Sequence, residues 1–336
     1  MIFLFNIGIA VSTSIFKKVI LNAFKLVLIG LFILLIANKN VKGENRQQEL
    51  SSTARVLIGK LFSANSQERI NAAIRLSDYS HPRVVEALIS CIQSTSDKML
   101  KIVGLRSLGK IGSKESLSVI LQSMSSKHTK IKIEAMRAGV NFSTPTVKQA
   151  IIKEANSKNP LIRQKAVYYL GKLNGEDSED LIDIFIEKLN DVNEGVRAAA
   201  CEELGERKVK KAVPHLRDVL LSDRAEVVRE FAAQALGKIE SNDSKESLKK
   251  ALGDSAPTVR IKAAKSLALL GSDAGLDEAV KGFNSLNPEV RIISCEIIGM
   301  VGDDEAEIFL KRAVNDFDRR VQKAAEKALR NLRKKE

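Results

Sequence analysis

The residue types that most often carry catalysis or bind metal are few in this chain, and their spacing keeps them apart. Three histidines occur, His81, His128 and His215, followed by Pro82, Thr129 and Leu216. A zinc or iron site needs several His, Cys or carboxylate ligands converging on one point, and none of these histidines has a carboxylate at ligand spacing. The cysteines Cys91, Cys201 and Cys295 are as scattered, and lone thiols of this kind read as fillers of small buried positions. No glycine-rich phosphate loop, nucleophile elbow or carboxylate pair stands out. The acidic cluster Glu176, Asp177, Glu179, Asp180 and Asp183 reads as a solvated loop and helix start, where negative charge suits the helix dipole; a cation site is the alternative. The expectation is therefore no catalytic residue, no metal and no cofactor.

What positions the side chains is a repeat. An apolar residue is followed by Arg or Lys, two variable residues, a small pair, two more variable residues and then Leu-Gly. The clearest copies are Val196-Arg197…Ala200-Cys201…Leu204-Gly205 and Val228-Arg229…Ala232-Ala233…Leu236-Gly237. Counting every copy, the basic anchors fall at 69, 101, 132, 163, 197, 229, 260, 291 and 322, with Gln replacing the basic residue at the last. Self-similarity at about 31 residues marks a repeat architecture. Each period holds two helical segments; in one, Val213 to Leu221 form the first, Ser222-Asp223 break it, and Glu226 to Ile239 form the second. On the second helix, positions −1, +3, +4 and +7 from the anchor share one face. Small residues at +3 and +4 allow close approach, and Gly at +8 thins the helix near its end. One such pair cannot bury both sides, so the copies must stack.

These residues resemble the HEAT repeat, in the short form first noticed in phycobilin lyases, over roughly residues 50–332. The resemblance implies an all-α, right-handed α-solenoid (an α-α superhelix, ARM/HEAT-like) of about nine two-helix repeats, spanning residues 50–336. In that family an Asp in the turn six residues before the anchor forms a ladder along the stack. Asp191, Asp223, Asp254 and Asp316 sit six before Arg197, Arg229, Arg260 and Gln322; Ser285 stands before Arg291, and the early repeats lack the Asp. The ladder is thus expected in the second half. HEAT-like hydroxylases carry His-Glu dipeptides, which are absent here. Gln322, Glu326 and Arg330 make the last copy polar, as a terminal cap must be.

Charge suggests where a partner would sit. The net charge is +13, yet residues 97–172 hold fifteen Lys/Arg against four Asp/Glu, whereas residues 189–336 hold 27 against 26. An acidic protein surface fits that basic zone. HEAT-like stacks bind along the concave wall of second helices, where positions +1, +2, +5 and +9 turn from the core. These are Ile102, Val103, Arg106 and Lys110, then Ile133, Glu134, Arg137 and Asn141, then Gln164, Lys165, Tyr168 and Lys172. Apolar residues beside arginines and a tyrosine have the composition of an interface. The expected partner-binding set is Ile102, Val103, Arg106, Lys110, Ile133, Arg137, Lys165, Tyr168 and Lys172, with Phe231, Ile292 and Ile293 extending it.

The N-terminus reads as an address. Residues 26–37 are an unbroken apolar run behind Lys17, Lys18 and Lys25, and Val41-Lys42-Gly43 suits cleavage before Glu44. Residues 1–43 are a signal peptide or, if residues 19–37 stay as an anchor, a membrane segment; residues 44–49 link to the solenoid. An early start codon on a cytosolic chain is a third reading. The function expected is a non-catalytic protein-interaction scaffold that binds an acidic or amphipathic partner along its concave face, exported to the periplasm or cell envelope or anchored in the inner membrane. No small-molecule substrate is expected. A bilin lyase or isomerase, or a basic-groove nucleic-acid binder, are the alternatives; the scarcity of aromatics, with no Trp, and an export signal weigh against nucleic acid.

Overall fold

The computed structural model describes residues 49–173 and 179–333, which form eighteen α-helices and, among the described residues, no strand. Residues 1–43, with the anchor reading of 19–37, and all of the linker but Glu49 lie outside the described residues, as do Glu176 and Asp177. Among the described residues no helix is long and apolar enough to cross a membrane. Two compact units are distinguished, one ending at Ala87 and one beginning at Leu88.

In the first unit α1 (Ser52–Lys60) packs on α2 (Ser66–Leu76), burying Leu57 against a face that carries Ala72, Ala73 and Leu76. Asn65 Oδ1 caps α2 by accepting from the N–H groups of Gln67 and Glu68, satisfying donors that have no intrahelical partner. Arg69 Nη1 donates to the carbonyls of Ser63 and Ala64 at 2.8 and 2.9 Å, so the anchor ties down the turn that precedes its own helix. Helix α3 (Pro82–Ser94) runs across the boundary.

The second unit repeats one theme. Its second helices are α4 (Lys98–Ile111), α6 (Thr129–Val140), α8 (Pro160–Gly171), α10 (Glu194–Glu206), α12 (Glu226–Ile239), α14 (Pro257–Leu269), α16 (Pro288–Val301) and α18 (Arg319–Leu332). Between them lie the first helices α5 (Leu117–Met124), α7 (Pro145–Glu154), α9 (Glu179–Lys188), α11 (Val213–Ser222), α13 (Lys245–Ala251), α15 (Leu276–Gly282) and α17 (Asp304–Ala313). From α6 onward each second helix packs on its own first helix, and along the whole row each packs on the next second helix. The unit is therefore an α-solenoid, and every inner second helix is covered on three sides. The face expected from periodicity is fully buried: Val196, Ala200, Cys201 and Leu204 of α10, and their counterparts Val228, Ala232, Ala233 and Leu236 of α12. Burial of one such Val or Leu stabilises by roughly 1.5–3 kcal/mol, so the stack is held chiefly by its seams.

The glycines at +8 set how closely the seams shut. A Cβ on Gly109, Gly205 or Gly299 would lie 2.7–2.8 Å from the Cα of Ala138, Ala235 or Ala328, each at +6 of the next second helix. That distance is shorter than real Cβ contacts allow, so the two backbones meet only because one residue lacks a side chain.

The ladder exists, and it links neighbours. The guanidiniums of Arg163, Arg197, Arg229 and Arg291 each donate twice, at 2.6–2.8 Å, to Asp191, Asp223, Asp254 and Asp316 of the following repeat. Each Nη1 also holds its own turn, donating to a carbonyl six residues back at 2.8–2.9 Å. Each aspartate in turn accepts a backbone N–H two residues on. Burial pushes Asp191 and Asp223 up, but the bonds from arginine and backbone outweigh it and hold both below the usual carboxylate range; Asp254 and Asp316 are held low chiefly by the arginine bond itself. Where Ser285 replaces the aspartate, Arg260 turns to Glu278 of α15 at 2.8 Å. One repeat earlier than expected, Lys132 pairs with Glu154 at 2.8 Å. Gln322 ends the series: it reaches back to the carbonyl of Asp316 at 2.7 Å.

Candidate protein-partner interface

The basic zone is carried on α4, α6 and α8. Asp97 starts α4 by accepting from the N–H groups of Met99 and Leu100, and Gly112 ends it in the left-handed region, φ 70°, where only glycine is unstrained. Pro160 begins α8 behind the cap Asn159. These rigid, successive helices bring Arg106, Arg137, Lys165, Tyr168 and Lys172 onto neighbouring turns.

Their geometry is more specific than a row of cations. Glu134 of α6 is buried and accepts from Arg106 Nε and Nη2 at 3.3 and 3.2 Å, and from Arg137 Nε at 2.6 Å. One buried carboxylate thus aims two guanidiniums whose outer faces remain exposed; the bond to Glu134 also raises the pKa of Arg106. On α8 the Tyr168 ring is exposed and flanked by Lys165 Nζ at 5.7 Å and Lys172 Nζ at 5.0 Å from its centroid, within cation–π range. Tyr169 lies edge-on to it at 5.3 Å and is buried, which pushes its phenol up. Lys110 is exposed at the end of α4.

Several expected contact residues sit elsewhere. Val103 is only 5% exposed and belongs to the packing between second helices. Ile102 and Ile133 are half-buried. Ile293 is buried as well, while Phe231 and Ile292 are half-buried, so no apolar extension runs along the later repeats. The reason is the three-sided cover of the second helices, which widens the apolar stripe to positions +1 and +2. Arg106, Lys110, Arg137, Tyr168 and Lys172 are exposed and Lys165 is half-buried.

Further along, the same wall neutralises itself. Lys238 meets Glu206 at 2.6 Å, Lys262 meets Glu230 at 3.7 Å, Lys265 meets Glu296 at 2.6 Å, and Arg320 meets Glu289.

Glu203 was not anticipated. It occupies the +6 position of α10, where the other glycine-faced seams have Ala138, Ala235, Ser266 and Ala328. A Cβ on Gly171 would collide with its carboxylate, so the missing side chain of Gly171 is the cradle. Glu203 is 1% exposed, its Oε1 has no hydrogen-bond partner, and Lys172 Nζ stands 3.7 Å away. Burial pushes its carboxyl up to about 7, against the pull of Lys172. A glutamate among small residues at one repeat position was the signal available in the sequence.

No group of His, Cys, Asp and Glu among the described residues could hold a metal ion. All three cysteines are buried; burial pushes the Cys295 thiol up to about 12 and that of Cys201 higher, which removes thiolate reactivity.

Residues 182–268 and 246–330 match the family model of HEAT repeats. A chain of the AP-3 complex (a homology model of an intermediate open conformation) is similar over 78% of this chain and 54% of its own length, with 18% identity and a TM-score of 0.59. Kap95p, in its complex with RanGDP, is similar over 83% and 45% respectively, with 13% identity and a TM-score of 0.59. The CpcE–CpcF phycocyanin lyase complex from a Nostoc species covers 68% of this chain and 93% of its own at 20% identity, with a TM-score of 0.40. The chain thus spans about half the length of the AP-3 and Kap95p chains it matches, and at these identities the likeness is one of fold. No curated protein matches the chain. With the two-helix period, the glycine-closed seams and the Arg–Asp ladder, the family match shows that residues 182–330 are built of HEAT repeats.

Proposed function

We propose that the chain is a non-catalytic protein-interaction scaffold, exported or held at a membrane by its N-terminal segment, whose α4–α8 wall takes an acidic segment of a partner protein. One observation carries this reading: along α4, α6 and α8 the outward charges are cations, and Glu134, the acid among them, lies buried beneath two arginines. A partner carboxylate can meet Arg106, Arg137, Lys165 or Lys172 without displacing an exposed acid. Guanidiniums already oriented from below lose less freedom on binding. The stacked second helices supply an extended surface, as a scaffold requires.

The test uses the full chain and a polyglutamate peptide. Lys110→Glu with Lys165→Glu is expected to weaken capture at least roughly tenfold, since like charges oppose docking, and to leave thermal melting unchanged. Equal capture by the double variant refutes the reading. Reversing Arg106 and Arg137 instead would crowd two more carboxylates around buried Glu134 and confound binding with unfolding.

A further inference from the structure

Every seam of the second unit from Lys132 onward closes its ladder with an acid: Glu154, Asp191, Asp223, Asp254, Glu278 and Asp316. The seam before it does not. Its anchor is Lys101, and Ser126 stands six residues before the next anchor, where Asp223 and Asp254 stand in later repeats. Ser126 Oγ accepts from the N–H of His128 at 3.2 Å, as Asp223 Oδ1 accepts from Ala225, but it brings no charge. Among the described residues neither Lys98 nor Lys101 has a carboxylate partner.

Beside this seam lies a groove of about 580 Å³, lined by Lys98, Lys101, Ser126, His128, Ile92 and Val119 among others, with no acid in its wall. The same groove three seams on supplies the control. It holds about 400 Å³ and is lined by Arg197 and His215 together with Asp218 and Asp223, so its cation is already satisfied from within. In the earlier groove the charge is uncompensated, and the apolar side chains beside it strengthen any pairing by excluding water. His128, at the N-cap of α6, makes no side-chain cap bond and lines the same groove.

We propose that this groove is a binding site for a small organic oxyanion, whose carboxylate or phosphate head takes the place of the absent ladder aspartate on Lys101 and Lys98 while a short apolar body lies against Ile92 and Val119. The lysine ammonium is a point charge that accepts either head group. Occupancy completes the ladder from outside, so ligand binding and solenoid stability are coupled.

The full chain, its Lys101→Gln variant and its Ser126→Asp variant are titrated with inorganic phosphate and with butyrate, against sodium chloride at matched ionic strength. Calorimetry and thermal melting are the readouts. Saturable binding of phosphate alone assigns a phosphorylated ligand, and of butyrate alone a carboxylate; either supports the site. Lys101→Gln weakens the binding by roughly tenfold or more, the loss of a charge-assisted bond. Ser126→Asp melts higher than the wild type without ligand and no longer responds to it. Absence of any saturable response beyond chloride, or an undiminished response in Ser126→Asp, overturns the proposal. Because the second variant is expected to stabilise the chain, misfolding of the first does not blunt the test.

Discussion

The two ends of the second unit use the same helices for different ends. From α10 to α18 each ladder arginine has its acid, and the wall cations Lys238, Lys262, Lys265 and Arg320 each meet an acid on the preceding or following second helix. From α4 to α8 the acids thin out: the ladder lacks one at Lys101, and the wall shares a single buried glutamate between two arginines. A charge paired inside the chain rigidifies the stack and has little left for a ligand. A charge left over does the reverse. The contrast therefore separates a half whose charges are paired within the chain from a half that leaves cations exposed, within one repeat design.

Substitutions in both halves sharpen or break that contrast. The largest effect is expected from Asp223→Ala in the closed half, which leaves buried Arg197 without its counter-ion. The loss of about 3 kcal/mol, read by denaturant unfolding, should exceed that of Lys101→Gln in the open half; equal losses would erase the distinction. Next is Glu203→Gln at the junction. Because its carboxyl is raised to about 7, Glu203 contributes stability that is full below its unfolded value near 4.5 and is lost as pH rises through 7. The amide variant should match the wild type at pH 5 and exceed it at pH 8.5 by about 2–3 kcal/mol; identical melting at both pH values would mean the carboxylate is not trapped. Between these pH values the ladder aspartates, held low, remain ionised and do not interfere. Third, Gly205→Ala should cost ~1 kcal/mol or more, because the new Cβ meets backbone at 2.7 Å and the strain outweighs the better helix propensity. Gly171→Ala meets a side chain instead, which swings aside, so its cost should be smaller. The least effect belongs to Glu206→Gln, whose exposed pair with Lys238 is worth under about 0.5 kcal/mol; a large loss there would show the closed half to depend on its wall.

Much of the fold was legible because it is written nine times. The positions −1, +3, +4 and +7 marked the buried face, and the break at Ser222-Asp223 separated α11 from α12 as observed. Four ladder aspartates were visible at a fixed offset. Glu278 and Glu154 were not, since they reach the ladder from other places in the first helix, a substitution in space that no single offset reveals. At the interface Arg106, Arg137, Tyr168 and Lys172 were placed on the surface correctly, whereas Val103 and Ile293 were lost to the lateral packing of second helices, which a lone helical wheel does not contain. The sharing of Glu134 by two arginines joins an in-helix pair with Arg137, three residues on, to a cross-repeat contact with Arg106 at a separation of 28 residues.

The ladder also has a direction. Each arginine grips its own turn and an acid that lies 18–28 residues further on. On a ribosome adding about 5–20 residues per second, every repeat would emerge with its guanidinium still waiting, for roughly one to five seconds, until the next turn appears. Solvent must serve that group meanwhile, and each repeat matures only when its successor arrives. Gln322, which grasps only backwards, is the residue at which the waiting stops.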